Sequence, residues 1–102
     1  MDQPRIVVDY ADKALKIAEN INHRLAINGA KQTLSSAYID LGQYEKAEKY
    51  LLEIAKDTVD INLISRETKM SIYKNLSSVY EGKKDFKKSL MYFTKFKNVA
   101  KF

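Results

Sequence analysis

The chain has 102 residues, 45% of them apolar and 30% charged, and its 18 basic and 13 acidic side chains give a net charge of +5. That is the balance of one small soluble globular domain, and it argues against disorder. No apolar run approaches the ~18 residues of a membrane-crossing helix, no basic-then-apolar leader opens the sequence, and the absence of cysteine removes disulfides, thiolate chemistry and the usual zinc sites from this segment.

One proline and three glycines leave little punctuation for hairpins, so the expectation is an all-α chain of about five helices. The first starts near Pro4, where the missing amide donor costs nothing, and runs to about Asn20. Its apolar residues spread around more than one narrow stripe, so it expects partners on more than one side. Asn20 to His23 reads as a turn. A second helix follows from about Arg24 to Leu41, with Ile27, Leu34, Tyr38 and Leu41 on one face. Gly42 ends it. The third spans Tyr44 to Asp57, with Ala47, Tyr50, Leu51, Ile54 and Ala55 inward. Thr58 to Asp60 is a break, and Asp60 is read as the N-cap of a fourth helix from Ile61 to about Glu81. Gly82, Lys83 and Lys84 turn the chain into a fifth, from Asp85 to about Ala100, whose Phe86, Leu90, Phe93, Phe96 and Val99 form one continuous stripe.

The chain repeats itself. Leu34-Ser35-Ser36-Ala37-Tyr38 recurs 42 residues later as Leu76-Ser77-Ser78-Val79-Tyr80, and the register holds onward through Tyr44 and Phe86, Ala47 and Ser89, Tyr50 and Tyr92, Leu51 and Phe93. A fixed period near 40 with helical spacing inside it marks stacked helix pairs that bury their apolar faces against neighbours. The small residues Ala47 and Ser89 let the helices of a pair approach.

The run Leu34, Ala37, Tyr38, Leu41-Gly42-Gln43-Tyr44-Glu45-Lys46-Ala47, Tyr50, Leu51, Ile54 resembles the tetratricopeptide repeat, and Leu76, Tyr80, Asp85, Phe86, Ser89, Tyr92, Phe93 and Phe96 fill the matching places of a second unit. The second departs from the pattern with Lys84 for glycine and Ser89 for alanine. Asp12-Lys13-Ala14 looks like Glu45-Lys46-Ala47 at a spacing of 33, so residues 1–21 read as the second helix of a truncated unit, followed by units at 24–57 and 61–100. The resemblance implies antiparallel helix pairs stacked as a right-handed α-solenoid, here a piece of a longer protein. The period of 42 exceeds the family's ~34 residues. Longer units of this kind are similar to those of kinesin light chains, peptide-sensing bacterial regulators and repeat regions that precede bacterial sensor kinases or DNA-binding modules, which implies signalling or transcriptional regulation in a cytoplasmic setting.

Catalytic constellations are close to absent, and the expectation is a non-enzymatic chain without metal or cofactor. His23 is the only histidine and sits in a polar turn, which favours capping. Asp9 and Asp12 lack further ligands at fixed spacing. Gly29, Gly42 and Gly82 are isolated, so no phosphate loop exists. The rings of Tyr38, Tyr44, Tyr50, Tyr73, Tyr80, Phe86 and Phe93 fall at packing positions and are read as core, as are Met70 and Met91.

Surface shape remains. The resemblance implies that the first helix of each pair lines a concave groove, which places Leu25, Gly29, Gln32, Ser36 and Ile39 there, followed by Glu67, Ser71, Lys74, Ser78 and Glu81. The expected partner is a peptide or helix of another protein. Charge gives a second reading. Residues 1–60 carry ten acids and eight bases, residues 61–102 three acids and ten bases. Lys83, Lys84, Lys87 and Lys88 could therefore make a basic patch for nucleic acid, although no recognition-helix motif supports it and a solvated lysine face is the commoner meaning. Pairing of two copies through the terminal helices is a third.

Overall fold

The computed structural model of the chain describes residues 3–57 and 65–101. Those residues form five helices and no strand: α1 (Gln3–Asn20), α2 (Arg24–Asp40), α3 (Tyr44–Asp57), α4 (Arg66–Gly82) and α5 (Phe86–Ala100). Each packs on its neighbour in chain order, and α2 also touches α4. The protein is an all-α stack of helix pairs.

Three of the connections are one turn used three times. After α2, Gly42 at φ 73° donates its N–H to Ile39 O and Gln43 donates to Tyr38 O. After α1, Asn22 at φ 53° and His23 make the same pair of bonds to Glu19 O and Ala18 O. After α4, Lys84 at φ 63° and Asp85 do so to Glu81 O and Tyr80 O. This six-to-one, five-to-two pattern satisfies carbonyls that a helix end leaves unpaired, and it requires a left-handed residue.

After two of these turns the next side chain opens the following helix. His23 Nδ1 accepts from Ala26 N at 3.1 Å, and Asp85 Oδ1 accepts from Lys88 N at 3.2 Å. The N-cap of α4 differs from the sequence reading. Ser65, extended at φ −62° and ψ 153°, accepts from Thr68 N. The helix therefore opens at Arg66 behind a serine cap, whereas Thr58 to Asp60 and Ile61 lie outside the described residues.

Two clusters form the core. In one, Ala47, Leu51 and Ile54 of α3 meet Ile72, Leu76, Val79 and Tyr80 of α4. In the other, Ala11 and Leu15 of α1 meet Ala30 and Leu34 of α2. Leu34, Leu51, Leu76 and Val79 are wholly buried, and each such side chain stabilises the fold by about 1.5–3 kcal/mol.

The clusters superpose residue for residue, Ala30 and Leu34 on Ile72 and Leu76 at 42, and Ala11, Leu15 and Ala18 on Ala47, Leu51 and Ile54 at 36. The expected spacing of 33 is thereby corrected: Ala14, matched there to Ala47, is exposed while Ala47 is fully buried. Burial against α2 is what fixes the register, and it falls on Ala11.

The fifth helix also corrects the sequence reading. Its single apolar stripe divides. Tyr92, Phe96 and Val99 are half-buried, whereas Phe86, Leu90, Phe93 and Met91 are 65%, 66%, 43% and 43% exposed. Phe86, Phe93 and Met91 are thus not core, because no described helix covers the outer side of α5.

Candidate functional site

The face where α2 lies beside α4 gathers most of the candidate groove residues. Gln32 Nε2 donates to Ser71 Oγ at 2.9 Å, and Asn75 Nδ2 donates to Ser36 Oγ at 3.4 Å. Positions 39 residues apart are thereby held side by side, which fixes the floor of the face. Gly29, Glu67, Lys74 and Glu81 are exposed beside it and Ser78 is half-buried. Ile39 is different: it packs against the α3–α4 cluster and contributes to the core.

Toward the α2 N-terminus this face deepens into a cavity of about 260 Å³ lined by Leu25, Asn28, Gly29, Gln32, Ile54, Ser65 and Thr68. Asn28 Oδ1 is buried there without a hydrogen-bond partner. A buried acceptor left unpaired costs about 1–3 kcal/mol, so it is poised to accept from a donor that enters. Leu25, 70% exposed, is the apolar rim. Asn28 was missed from sequence because asparagine in mid-helix reads as a solvated residue. Its place three residues after Leu25 and four before Gln32, on the same face of α2, was the available signal.

The basic candidates separate. Lys83 Nζ is paired with Glu48 Oε1 at 3.0 Å. Lys88 Nζ stands 5.3 Å over the Tyr80 ring, as Lys46 stands 5.4 Å over Tyr38 one period earlier. The rings repeat as well, with Tyr38 stacked on Tyr50 at 6.2 Å and Tyr80 on Tyr92 at 5.6 Å. Lys88 is thus a packing element of the repeat, since a cation over a tyrosine face contributes about 0.5–1 kcal/mol when exposed. Lys84 sits in the left-handed turn and Lys87 is exposed.

Electrostatics follow the same packing. Burial alone would raise the Glu48 carboxyl, but hydrogen bonds from Tyr80 and Lys83, with the charges of Lys83 and Lys88, outweigh it and hold the pKa below the usual range. Tyr80 is pushed up by burial and by its bond to Glu48. Burial, then Asp12 and Asp9, raise the Tyr38 phenol. Those two carboxylates therefore lie near tyrosines, and among the described residues no group of three or more histidine, aspartate or glutamate side chains is arranged to hold a metal. No described helix is long and apolar enough to cross a membrane.

No curated protein and no solved structure matches the chain. A family model does: residues 29–56, which carry Gly29, Gln32, Ser36 and Ile39, match the tetratricopeptide repeat. Such repeats generally mediate protein–protein interaction and are typically non-catalytic. With the paired helices, the small residue at Ala47 and the left-handed Gly42 turn all in place, residues 29–56 carry a tetratricopeptide repeat.

Proposed function

We propose that the protein is a non-enzymatic interaction module that takes a peptide or helix of a partner protein on the α2–α4 face, as the repeat region of a larger regulatory or signalling protein. The observation that carries this reading is the cavity with the unpaired Asn28 Oδ1 at the end of a face whose floor is fixed by Gln32–Ser71 and Asn75–Ser36. A pre-formed cleft of this kind, mainly apolar with a few polar groups, suits an extended backbone, whose N–H groups are donors, or a helix with one donor side chain. Leu25 supplies the apolar contact, Asn28 accepts the donor, and Lys74, between Glu67 and Glu81 along α4, selects for an acidic group. A nucleic-acid role for Lys83, Lys84, Lys87 and Lys88 has less to support it, because Lys83 and Lys88 are already engaged within the fold.

The test is a random 12-residue peptide library displayed against the protein. An enriched peptide is then measured on wild type, Asn28→Leu and Lys74→Glu. Both variants are expected to weaken binding by about five- to tenfold, near 1–1.4 kcal/mol. Lys74→Glu, at an exposed site, should leave thermal stability within about 0.5 kcal/mol. Equal affinities across the three proteins would remove the α2–α4 face from the account.

A further inference from the structure

The cavity at the end of the α2–α4 face has the size of one large side chain. Its volume of about 260 Å³ is below the ~300 Å³ at which sites for whole small molecules begin. Leu25 and Ile54 supply apolar walls. At Gly29 nothing lies within 4 Å of where a β-carbon would stand, which leaves room for a flat group against the α2 backbone.

The polar atoms of the cavity define what else its occupant carries. Gln32 Nε2 already donates to Ser71 Oγ at 2.9 Å, and the Ser65 and Thr68 hydroxyls pair at 2.8 Å while Ser65 Oγ also accepts from Thr68 N at 3.1 Å. Among the described residues, Asn28 Oδ1 is the buried side-chain polar atom without a partner. The cavity therefore asks for an apolar body with one donor. A lysine or arginine head would bring a charge and several donors to a single acceptor, and its desolvation would outweigh one hydrogen bond. A tyrosine hydroxyl would bring an acceptor along with its donor. An indole is a donor only, carried on a large apolar ring.

We propose that this cavity takes a tryptophan side chain of the partner, its ring between Leu25, Ile54 and the Gly29 backbone and its Nε1–H donating to Asn28 Oδ1. The inference rests on the α2–α4 face being the recognition surface, and it names the residue of the partner that anchors there. Binding energy commonly concentrates on such a buried aromatic anchor. The protein has no tryptophan of its own, so an indole that enters the cavity can be read by its fluorescence without interference from another.

The probes are skatole, which is the tryptophan side chain as a free molecule, its isomer N-methylindole, which has the same atoms and no N–H, and p-cresol, the tyrosine side chain. Amide NMR titrations and indole fluorescence are read on wild type and Asn28→Leu. Skatole is expected to shift residues 25–32 and 65–68, which border the cavity, and its emission should move to the blue. It should bind wild type about tenfold more tightly than N-methylindole does. On Asn28→Leu the two isomers should bind alike. Equal affinity of the isomers for wild type, tighter binding of p-cresol, or no binding of skatole would overturn the proposal, and these results are read on wild type whatever Asn28→Leu does to the fold. Library peptides separate this inference from the reading on which it rests. Enriched peptides that Lys74→Glu weakens but that carry no tryptophan would keep the α2–α4 face and overturn the indole. Peptides indifferent to both Lys74→Glu and Asn28→Leu would remove the face, and the partner's tryptophan with it.

Discussion

Lys84 holds φ at 63° in the position where Gly42 holds 73°. A residue with a β-carbon pays about 1 kcal/mol for that conformation and glycine does not. Lys84→Gly is therefore expected to raise stability by about 0.5–1 kcal/mol, and Gly42→Ala to lower it by about 1 kcal/mol, in urea unfolding. Glu48 gives the second residue-level prediction. Folding lowers its pKa from the ordinary 4.5, so its contribution is complete above that value and is lost as pH falls through the lower folded one. Lys83, raised above 10.5, contributes at every pH below that and loses its part only as pH rises beyond it. Melting across acid pH should show a decline below about pH 4.5 that Glu48→Gln shallows, with the difference between the two proteins shrinking as pH falls further. An unchanged acid limb would mean that Glu48 is not the group that titrates.

At the scale of the element, α5 is held at its far end by Arg66, whose Nε donates to Val99 O at 3.0 Å and Nη2 to Ala100 O at 2.7 Å. A cation there satisfies carbonyls that the helix leaves open and opposes the negative end of its dipole. Arg66→Ala is expected to cost about 1–1.5 kcal/mol and to speed amide hydrogen exchange in the last turn of α5 before any other segment responds. The helices were largely legible in sequence because heptad-like spacing and the Gly42 turn mark them directly. The start of α4 was less so. Ser65 and Asp60 are both good cap residues, and their residue types alone do not rank them. The α5 stripe was misread for a related reason: spacing shows that Phe86, Leu90 and Phe93 share a face, and says nothing of whether a helix lies over it.

For the whole molecule, the 42-residue repetition reaches beyond the core to the Lys46–Tyr38 and Lys88–Tyr80 pairs, so part of what looked like a basic patch is the repeat itself. Of the positions expected along the groove, Gln32 stands against Ser71, and Ser36 stands against Asn75, which was not among them. Nor was Asn28, because an unpaired acceptor is a property of the assembled cavity. Gly29 separates stability from recognition. Open space surrounds a β-carbon there, so Gly29→Ala should stabilise α2 by about 0.5–1 kcal/mol. Gly29 also lines the cavity beside Asn28, and a methyl added there should weaken peptide binding severalfold. The measurement that tests the account most directly is an amide NMR titration of the protein with a library-enriched peptide. Shifts confined to residues 25–36 of α2 and 67–81 of α4, with Asn28 side-chain amide signals moving at the same concentration, are the predicted result. Shifts confined to α1 or α5, with α2 and α4 silent, would contradict recognition on the α2–α4 face.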